Sequence, residues 1–428
     1  MRVLFVTAPF KTHLYVQVPL ASAFRTAGHD VRVAAAPDFV DVITGIGLTG
    51  VPIGHPVPMD VMLPTKQPDM GPDRTGLPVE KPAQSDYALD DPFAELADTA
   101  LGTRSLYHHD DIFDDIVGLA RNWRPDLVIR DPFMFAGGVA ARAVGAVDVR
   151  MLWGADTLAQ IRANCYGALA GQRRSEGRPD PLRDWLLPFL ERYGCTYDEG
   201  VALGECTVIG WPSWAWRPQG VQYVPTRPIS FPGPHKVSDW VYDQSARKRI
   251  CITQGISHRD YNFGRTASID TLFEAVADLD AEVVATFNAK QIESAASVPD
   301  NVRVVDFVPF NAVMSTCSAI VHHGGYGTMA SALEHGVPQL VVPNIFWKEK
   351  WWGAIALANG LEEQGAGAYV ADADQMTAGL LRDHLVKVLT DPAVADNAAR
   401  LRAEYHKTPS PNETVTMFEG LVADRQQV

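Results

Sequence analysis

The sequence predicts an α/β protein of two Rossmann-like, doubly wound domains facing a cleft, and three observations carry that expectation. The chain has 428 residues, too many for one ordinary core at roughly 100–200 residues per domain. Short β-branched runs alternate with helical patterns twice over, the rhythm of crossover connections in a parallel sheet. Between the two series lies Trp211–Val237, where Pro212, Pro218, Pro225, Pro228, Pro232 and Pro234 give the composition of an interdomain connection.

The first series offers strands at Arg2–Thr7, Val31–Ala35, Thr49–Ile53, Asp126–Arg130 and Val147–Trp153. After the first strand, Val16, Leu20, Phe24 and Ala27 share one helical face, Gly28 stands where a C-terminal cap belongs, and Pro19 sits early in that helix or kinks it. Further helices are expected at Asp111–Trp123 and Phe135–Ala143. From Gly54 to Leu106 the pattern breaks into Pro-, Gly- and Asp-rich sequence, and long irregular stretches in compact domains are usually functional or mobile. The second series runs through Arg249–Thr253, Glu282–Phe287, Val302–Phe307, Ala319–His322 and Gln339–Val342, with closing helices at Met376–Leu389 and Pro392–His406. The expected organisation is a first domain at 1–215, a linker at 216–237, a second domain at 238–408 and a tail at 409–428. Its breaker Thr408-Pro409-Ser410-Pro411 lets that tail cross back to the first domain.

At 46% hydrophobic and 21% charged residues the composition is that of a soluble globular protein. A net charge of −14 without a basic run argues against a nucleic-acid surface. Met1–Val6 enters a strand directly, too short and wrongly flanked for a signal peptide, and no run of about twenty apolar residues suggests a membrane span, so a cytoplasmic location is expected. The five cysteines, Cys165, Cys195, Cys206, Cys251 and Cys317, form no CxxC pair and indicate neither a disulfide framework nor a zinc site.

The segment richest in chemistry is Ala319–Leu333, where an apolar strand ends in His322-His323-Gly324-Gly325-Tyr326-Gly327-Thr328 and a helix opens at about Gly327. Unpaired N–H groups at a helix start, with the positive end of its dipole, make an anion site, and glycines let a phosphate approach the backbone. His323 adds a hydrogen-bonding side chain. A glycine-rich turn alone is weak evidence; strand, turn and helix together point to a diphosphate cradle.

His323-Gly324-Gly325-Tyr326-Gly327-Thr328 resembles the donor signature of the GT-B glycosyltransferases of family one. Within that family the chain is similar to actinobacterial enzymes that attach deoxysugars to macrolide and anthracycline aglycones. The resemblance runs nearly end to end, through Thr12-His13-Leu14, Ala27–Val33, Trp123–Val128, Leu152-Trp153-Gly154 and Val298–Arg303. It implies a GT-B fold, a dTDP-deoxyhexose (or UDP-sugar) donor, inverting transfer to a hydroxyl of a polyketide-type aglycone in antibiotic biosynthesis, no metal or other cofactor, and for several members a cytochrome P450-like auxiliary protein. Monomer and homodimer both stay open.

The resemblance gives His13, just past the first strand, the role of base toward the acceptor hydroxyl, against the plain alternative of a surface-loop histidine. It matches Asp131 to the acidic partner of that base; an Asp before Pro132 is equally a helix-start signal. On the donor side it implies Thr253, Gly255 and Ser257 at the phosphates and sugar, and Phe307 with Val308 at the base, where Phe307 either stacks or belongs to the core. Trp153 falls where an apolar acceptor would bind. One loop departs from the family: Asn344–Trp352 places Trp347 or Lys348 where relatives carry an acid that holds sugar hydroxyls. Glu349 supplies that carboxylate from a displaced loop, or is simply a solvated charge. Two rivals remain. A dinucleotide oxidoreductase needs a G-x-G-x-x-G turn, and Thr7–His13 contains no glycine; a non-catalytic nucleotide-sugar-binding homologue or partner subunit would explain the altered loop.

Overall fold

A computed structural model describes residues 1–57, 92–166, 179–243, 246–261, 266–343 and 353–426. Its first seven strands are β1 (Arg2–Val6), β2 (Asp30–Ala35), β3 (Gly50–Pro52), β4 (Leu127–Arg130), β5 (Val147–Met151), β6 (Cys206–Ile209) and β7 (Tyr223–Pro225). They form one sheet in the order β3-β2-β1-β4-β5-β6-β7, parallel at every pairing. Six more strands, β8 (Lys248–Thr253), β9 (Ala281–Thr286), β10 (Val302–Val305), β11 (Ala319–His322), β12 (Gln339–Val341) and β13 (Gly367–Tyr369), form a second parallel sheet ordered β10-β9-β8-β11-β12-β13. These are the two doubly wound sheets the alternation predicts. Strand order reverses between β1 and β4 in the first and between β8 and β11 in the second, and those switch points are where open α/β sheets bind ligands.

The central strands are buried and mostly apolar because helices cover both faces of a parallel sheet. Every residue of β4 and β5 is buried, including the three charged ones, Arg130, Asp148 and Arg150. Arg130 grips Asp148 through Nε (2.9 Å) and Nη2 (3.3 Å), while Arg150 grips Asp156 through Nη1 (2.9 Å) and Nη2 (2.5 Å). Buried charges survive only when paired and hydrogen-bonded. The covering helix Phe135–Val144 makes room with a glycine: a Cβ on Gly138 would lie 3.1 Å from both Arg130 Nε and Asp148 Oδ2.

Three strands escape the hydrophobic pattern. β6 and β13 are short, and β7 lies inside the proline-rich segment, where Pro225 is tolerated because β7 is an edge. The first helix spans Lys11–Thr26, starting earlier than the apolar spacing implies, so Pro19 is interior and His13 stands in the first turn instead of a loop. Its buried face is His13, Leu14, Gln17, Val18, Leu20, Ala21 and Phe24, whereas Val16 is half-buried and Ala27 exposed. The last helix, Pro411–Gln426, lies against this one, with Val415, Phe418 and Val422 in the core under β1 and β2 and Phe418 6.2 Å from Phe24.

Two histidines are structural. His108, 1% exposed, accepts the Ala136 N–H at Nε2 (3.2 Å) and so caps the start of helix Phe135–Val144. His322, also 1% exposed, accepts the Gly324 N–H at Nδ1 (3.0 Å) and therefore donates from Nε2 to Gln339 Oε1 (3.0 Å). Burial keeps both neutral, lowering His108 to about 4 and His322 to about 3.

Phe418→Ala should destabilise the protein by about 3 kcal/mol, the usual cost of emptying a buried aromatic site, measured by denaturant unfolding. An unfolded histidine ionises near 6.5, above both folded values, so the unfolded chain binds more protons and stability falls as pH drops below that point. Between pH 6.5 and 5 the two residues contribute a loss approaching about 2.7 kcal/mol per pH unit. In His108→Gln roughly half of that slope should disappear, read from unfolding midpoints across the window.

Candidate active site

At the first switch point three strand ends converge. His13 is 8% and Asp131 0% exposed, and His13 Nδ1 lies 2.7 Å from Asp131 Oδ2. An ionised carboxylate only accepts, so Nδ1 carries the proton and Nε2 keeps its lone pair. Trp153, on the turn after β5, donates its indole N–H to the same Oδ2 (3.0 Å) and stacks on the imidazole at 4.2 Å and 30°. Phe10 packs against that ring at 4.9 Å. Asp131 Oδ1 accepts the Phe133 N–H (3.0 Å), and the Asp131 carbonyl accepts the Met134 N–H. The aspartate thus shapes the turn ahead of helix Phe135–Val144 and holds His13 at once, but it does not cap that helix, whose N-cap is Met134 without a side-chain cap bond.

The second switch point collects the glycine-rich turns. Thr253, 5% exposed at the end of β8, accepts hydrogen bonds from Gly255 N–H (3.2 Å) and the Thr286 hydroxyl (2.8 Å), so its side chain shapes the turn. Gly255 has φ +81°, and a Cβ there would come 2.3 Å from His323 Cε1; only glycine lets the histidine lie over this turn. Gly324, with φ +95°, would press a Cβ to 2.5 Å from Ala354 Cβ. Gly325 then stands as N-cap of helix Tyr326–His335, whose first turn has neither a side-chain cap nor an acidic residue. Around Gly327 there is open space, while Thr328 is 8% exposed. The helix start is therefore a set of N–H groups and a dipole end with no acidic residue in its own first turn.

Across the cleft, Ser257 Oγ lies 3.3 Å from Thr12 Oγ1, next to His13. Phe307, past β10, stacks face to face on His235 of the proline-rich segment at 3.6 Å and 20°. Val308 is a core residue, 3% exposed. Glu349 and the departing loop Phe346–Trp352 lie outside the described residues.

A small cleft opens at the C-terminal edges of β1, β2 and β3, with Thr7, Ile53, His55, Tyr107, His109 and Met134 in its wall. Tyr107 meets Phe10 edge-on at 6.0 Å, which joins the pocket to His13. Sequence reasoning singled out none of these side chains. The available signal was positional, since Ile53 and Tyr107 flank the stretch Gly54–Leu106 and His55 lies within it; residues 58–91 lie outside the described residues, and the stretch ends in a helix, Pro92–Tyr107, that its composition did not announce. Among the described residues no group of three or more His, Cys, Asp or Glu is arranged to hold a metal ion, and no helix is long and apolar enough to cross a membrane.

Comparison with known proteins identifies the family. The family model described as Erythromycin biosynthesis protein CIII-like matches through its N-terminal domain at residues 22–255 and its C-terminal domain at residues 270–421. The aclacinomycin-T 2-deoxy-L-fucose transferase of Streptomyces galilaeus is 42% identical, over 100% of this chain and 97% of that one. The 3-alpha-mycarosylerythronolide B desosaminyl transferase of Saccharopolyspora erythraea is 39% identical over 100% of both. Among solved structures, the glycosyltransferase VinC in complex with dTDP superimposes with TM-score 0.83 at 36% identity, covering 99% of this chain and 100% of that one. Spinosyn forosaminyltransferase does so with TM-score 0.80 at 34% identity, covering 99% of each. The chain belongs to the Erythromycin biosynthesis protein CIII-like family and is a glycosyltransferase of the GT-B fold.

Proposed function

We propose that the protein transfers a deoxysugar from a dTDP-sugar to a hydroxyl of a macrolide- or anthracycline-type aglycone, with inversion at the anomeric carbon. The observation that carries the reading is the pairing of the two switch points: a buried His13–Asp131 contact on one side and an uncapped helix start on the other, joined through Thr12 and Ser257. His13 Nε2 takes the acceptor hydroxyl's proton as the oxygen forms its bond to the anomeric carbon. The bond from that carbon to the diphosphate breaks on the opposite face, and Asp131 stabilises the imidazolium. The charge developing on the diphosphate meets the N–H groups and dipole at Tyr326–Thr328, with His323 and the Gly324-Gly325 turn beside it; the reading asks for no metal.

In this reading residues 1–215 bind the acceptor, 216–237 link, 238–408 bind the donor, and 409–428 cross back. Thr253, Gly255 and Ser257 serve the phosphates and sugar, and Phe307 with the Val308 backbone serves the thymine. Glu349 serves the sugar hydroxyls, and the apolar pocket together with Trp153 serves the aglycone. A cytochrome P450-like auxiliary protein and a cytoplasmic location are part of the proposal. The dTDP held by VinC supports the choice of nucleotide, and the activities named for relatives support sugar and acceptor class.

Incubation with dTDP-2-deoxy-L-fucose and other dTDP-deoxysugars, against macrolide and anthracycline aglycones with and without a P450-like helper, should release dTDP and a glycoside. Nucleotide binding with no turnover in any combination would instead favour a non-catalytic binding protein. His13→Ala should lower kcat by about 100-fold or more while dTDP affinity, measured by calorimetry, stays within about twofold. Unchanged turnover removes His13 from the role of base.

A further inference from the structure

We infer that Trp153 is a positioning residue of the transfer reaction, holding Asp131 through its indole N–H and His13 through its ring face. The inference rests on the reading of His13 as the base. A histidine in the first turn of a helix can rotate about its side-chain torsions, and a carboxylate can turn away from it. Both freedoms are removed here. Asp131 Oδ2 receives His13 Nδ1 at 2.7 Å and Trp153 Nε1 at 3.0 Å, and Oδ1 receives Phe133 N–H at 3.0 Å, so three donors from three chain segments fix the carboxylate plane. The indole face lies on the imidazole at 4.2 Å, which sets the ring's tilt and offers a π surface to the imidazolium formed during transfer. With Nδ1 committed to Asp131, Nε2 is left as the ring atom that receives the acceptor's proton.

The tryptophan is itself rigidly held. Leu152 N–H joins β6 at Val208 O (3.0 Å). Asp156, three residues on, is clamped by Arg150, accepts Ala159 N–H (3.2 Å) and takes the Tyr223 hydroxyl (3.0 Å). Leu152 and Ala155 share a core cluster with Met329 and Leu333 of helix Tyr326–His335. The turn that carries Trp153 is therefore fixed from both sides of the cleft. A residue serving only as acceptor wall needs no N–H on a fully buried carboxylate.

The test compares kcat and both KM values for the full-length protein, Trp153→Phe, Trp153→Leu and His13→Ala, with the donor and aglycone pair that turns over and with thermal unfolding as a check on folding. Trp153→Phe keeps an aromatic face and loses the N–H. It should lower kcat roughly tenfold, as losing a hydrogen bond to a buried charge does, with KM for either substrate moving less than about twofold. Trp153→Leu should lose more, so that phenylalanine partly rescues. A raised acceptor KM with unchanged kcat in Trp153→Phe overturns the inference and leaves Trp153 a wall of the acceptor site. If His13→Ala keeps the wild-type kcat, the base reading falls and the inference with it. Loss in His13→Ala beside an unaffected Trp153→Phe overturns the inference alone.

Discussion

A carboxylate shut away from water costs several kcal/mol unless its lone pairs are met, and Asp131, with no exposed surface, is such a group. The cleft's first-domain half is organised by how that cost is offset. Its donors come from the helix after β1, from its own turn after β4 and from the turn after β5, and β1, β4 and β5 are neighbours in the sheet. Register does the rest: Val6 pairs with Arg130, and Arg130 with Arg150. Each group lies a few residues beyond a strand whose neighbours are fixed by a ladder of hydrogen bonds, so the His13 geometry inherits the rigidity of the sheet.

The same logic runs beneath the site. Arg130 precedes Asp131, and its pairing with Asp148 ties β4 to β5 inside the layer, while Arg150 with Asp156 ties β5 to the turn that follows it. That turn does not belong to one domain. Leu152, Ala155, Ile209 and Trp211 from the first half share a core cluster with Met329, Ala330, Leu333 and Leu357 from the second, and a Cβ on Gly353 would come 2.6 Å from the Trp211 ring. Straps at the linker add to this: Arg227 N–H donates to Pro409 O at 2.7 Å, and Thr226 meets Thr414 at 3.0 Å. Helix Tyr326–His335, which follows the glycine-rich turn, thus packs on the strand ends next to Trp153.

Where a local physical signal exists, the sequence was legible. Aliphatic strands such as Leu127–Arg130 and Ala319–His322 declare themselves because a parallel sheet buries both faces. Gly324 and Gly325 declare a turn because positive φ and close approach need glycine. What stayed hidden depends on tertiary contact. β7 disappears into proline-rich sequence because an edge strand needs few ladder bonds, and Asp148 and Arg150 look like surface residues until their partners are seen. The helix around His13 begins early because the packing of Leu14 and Val18 overrides a sequence with no capping residue at Phe10. The pocket wall at Ile53, Tyr107 and Met134 is assembled from three separate segments, and no spacing rule links them. Phe307 could be read as base platform or core, and its contact with His235 is not encoded in either neighbourhood.

The adjacent histidines at 322 and 323 show how one residue type acquires two duties. Side chains alternate along a strand, so the last residue of β11, His322, turns into the layer. There both ring nitrogens are spent, one on Gly324 N–H and one on Gln339. Burial holds it neutral, with a value near 3, and a neutral ring can accept the Gly324 N–H, which a protonated one could not. His323 falls on the opposite side, in the turn itself, with Gly255 and Gly325 so close that a Cβ at either would reach within 3 Å of its ring. The first histidine thereby fixes the backbone from which the second is displayed. The order strand end, buried histidine, second histidine, glycine pair follows from the alternation of the strand and the space the glycines leave.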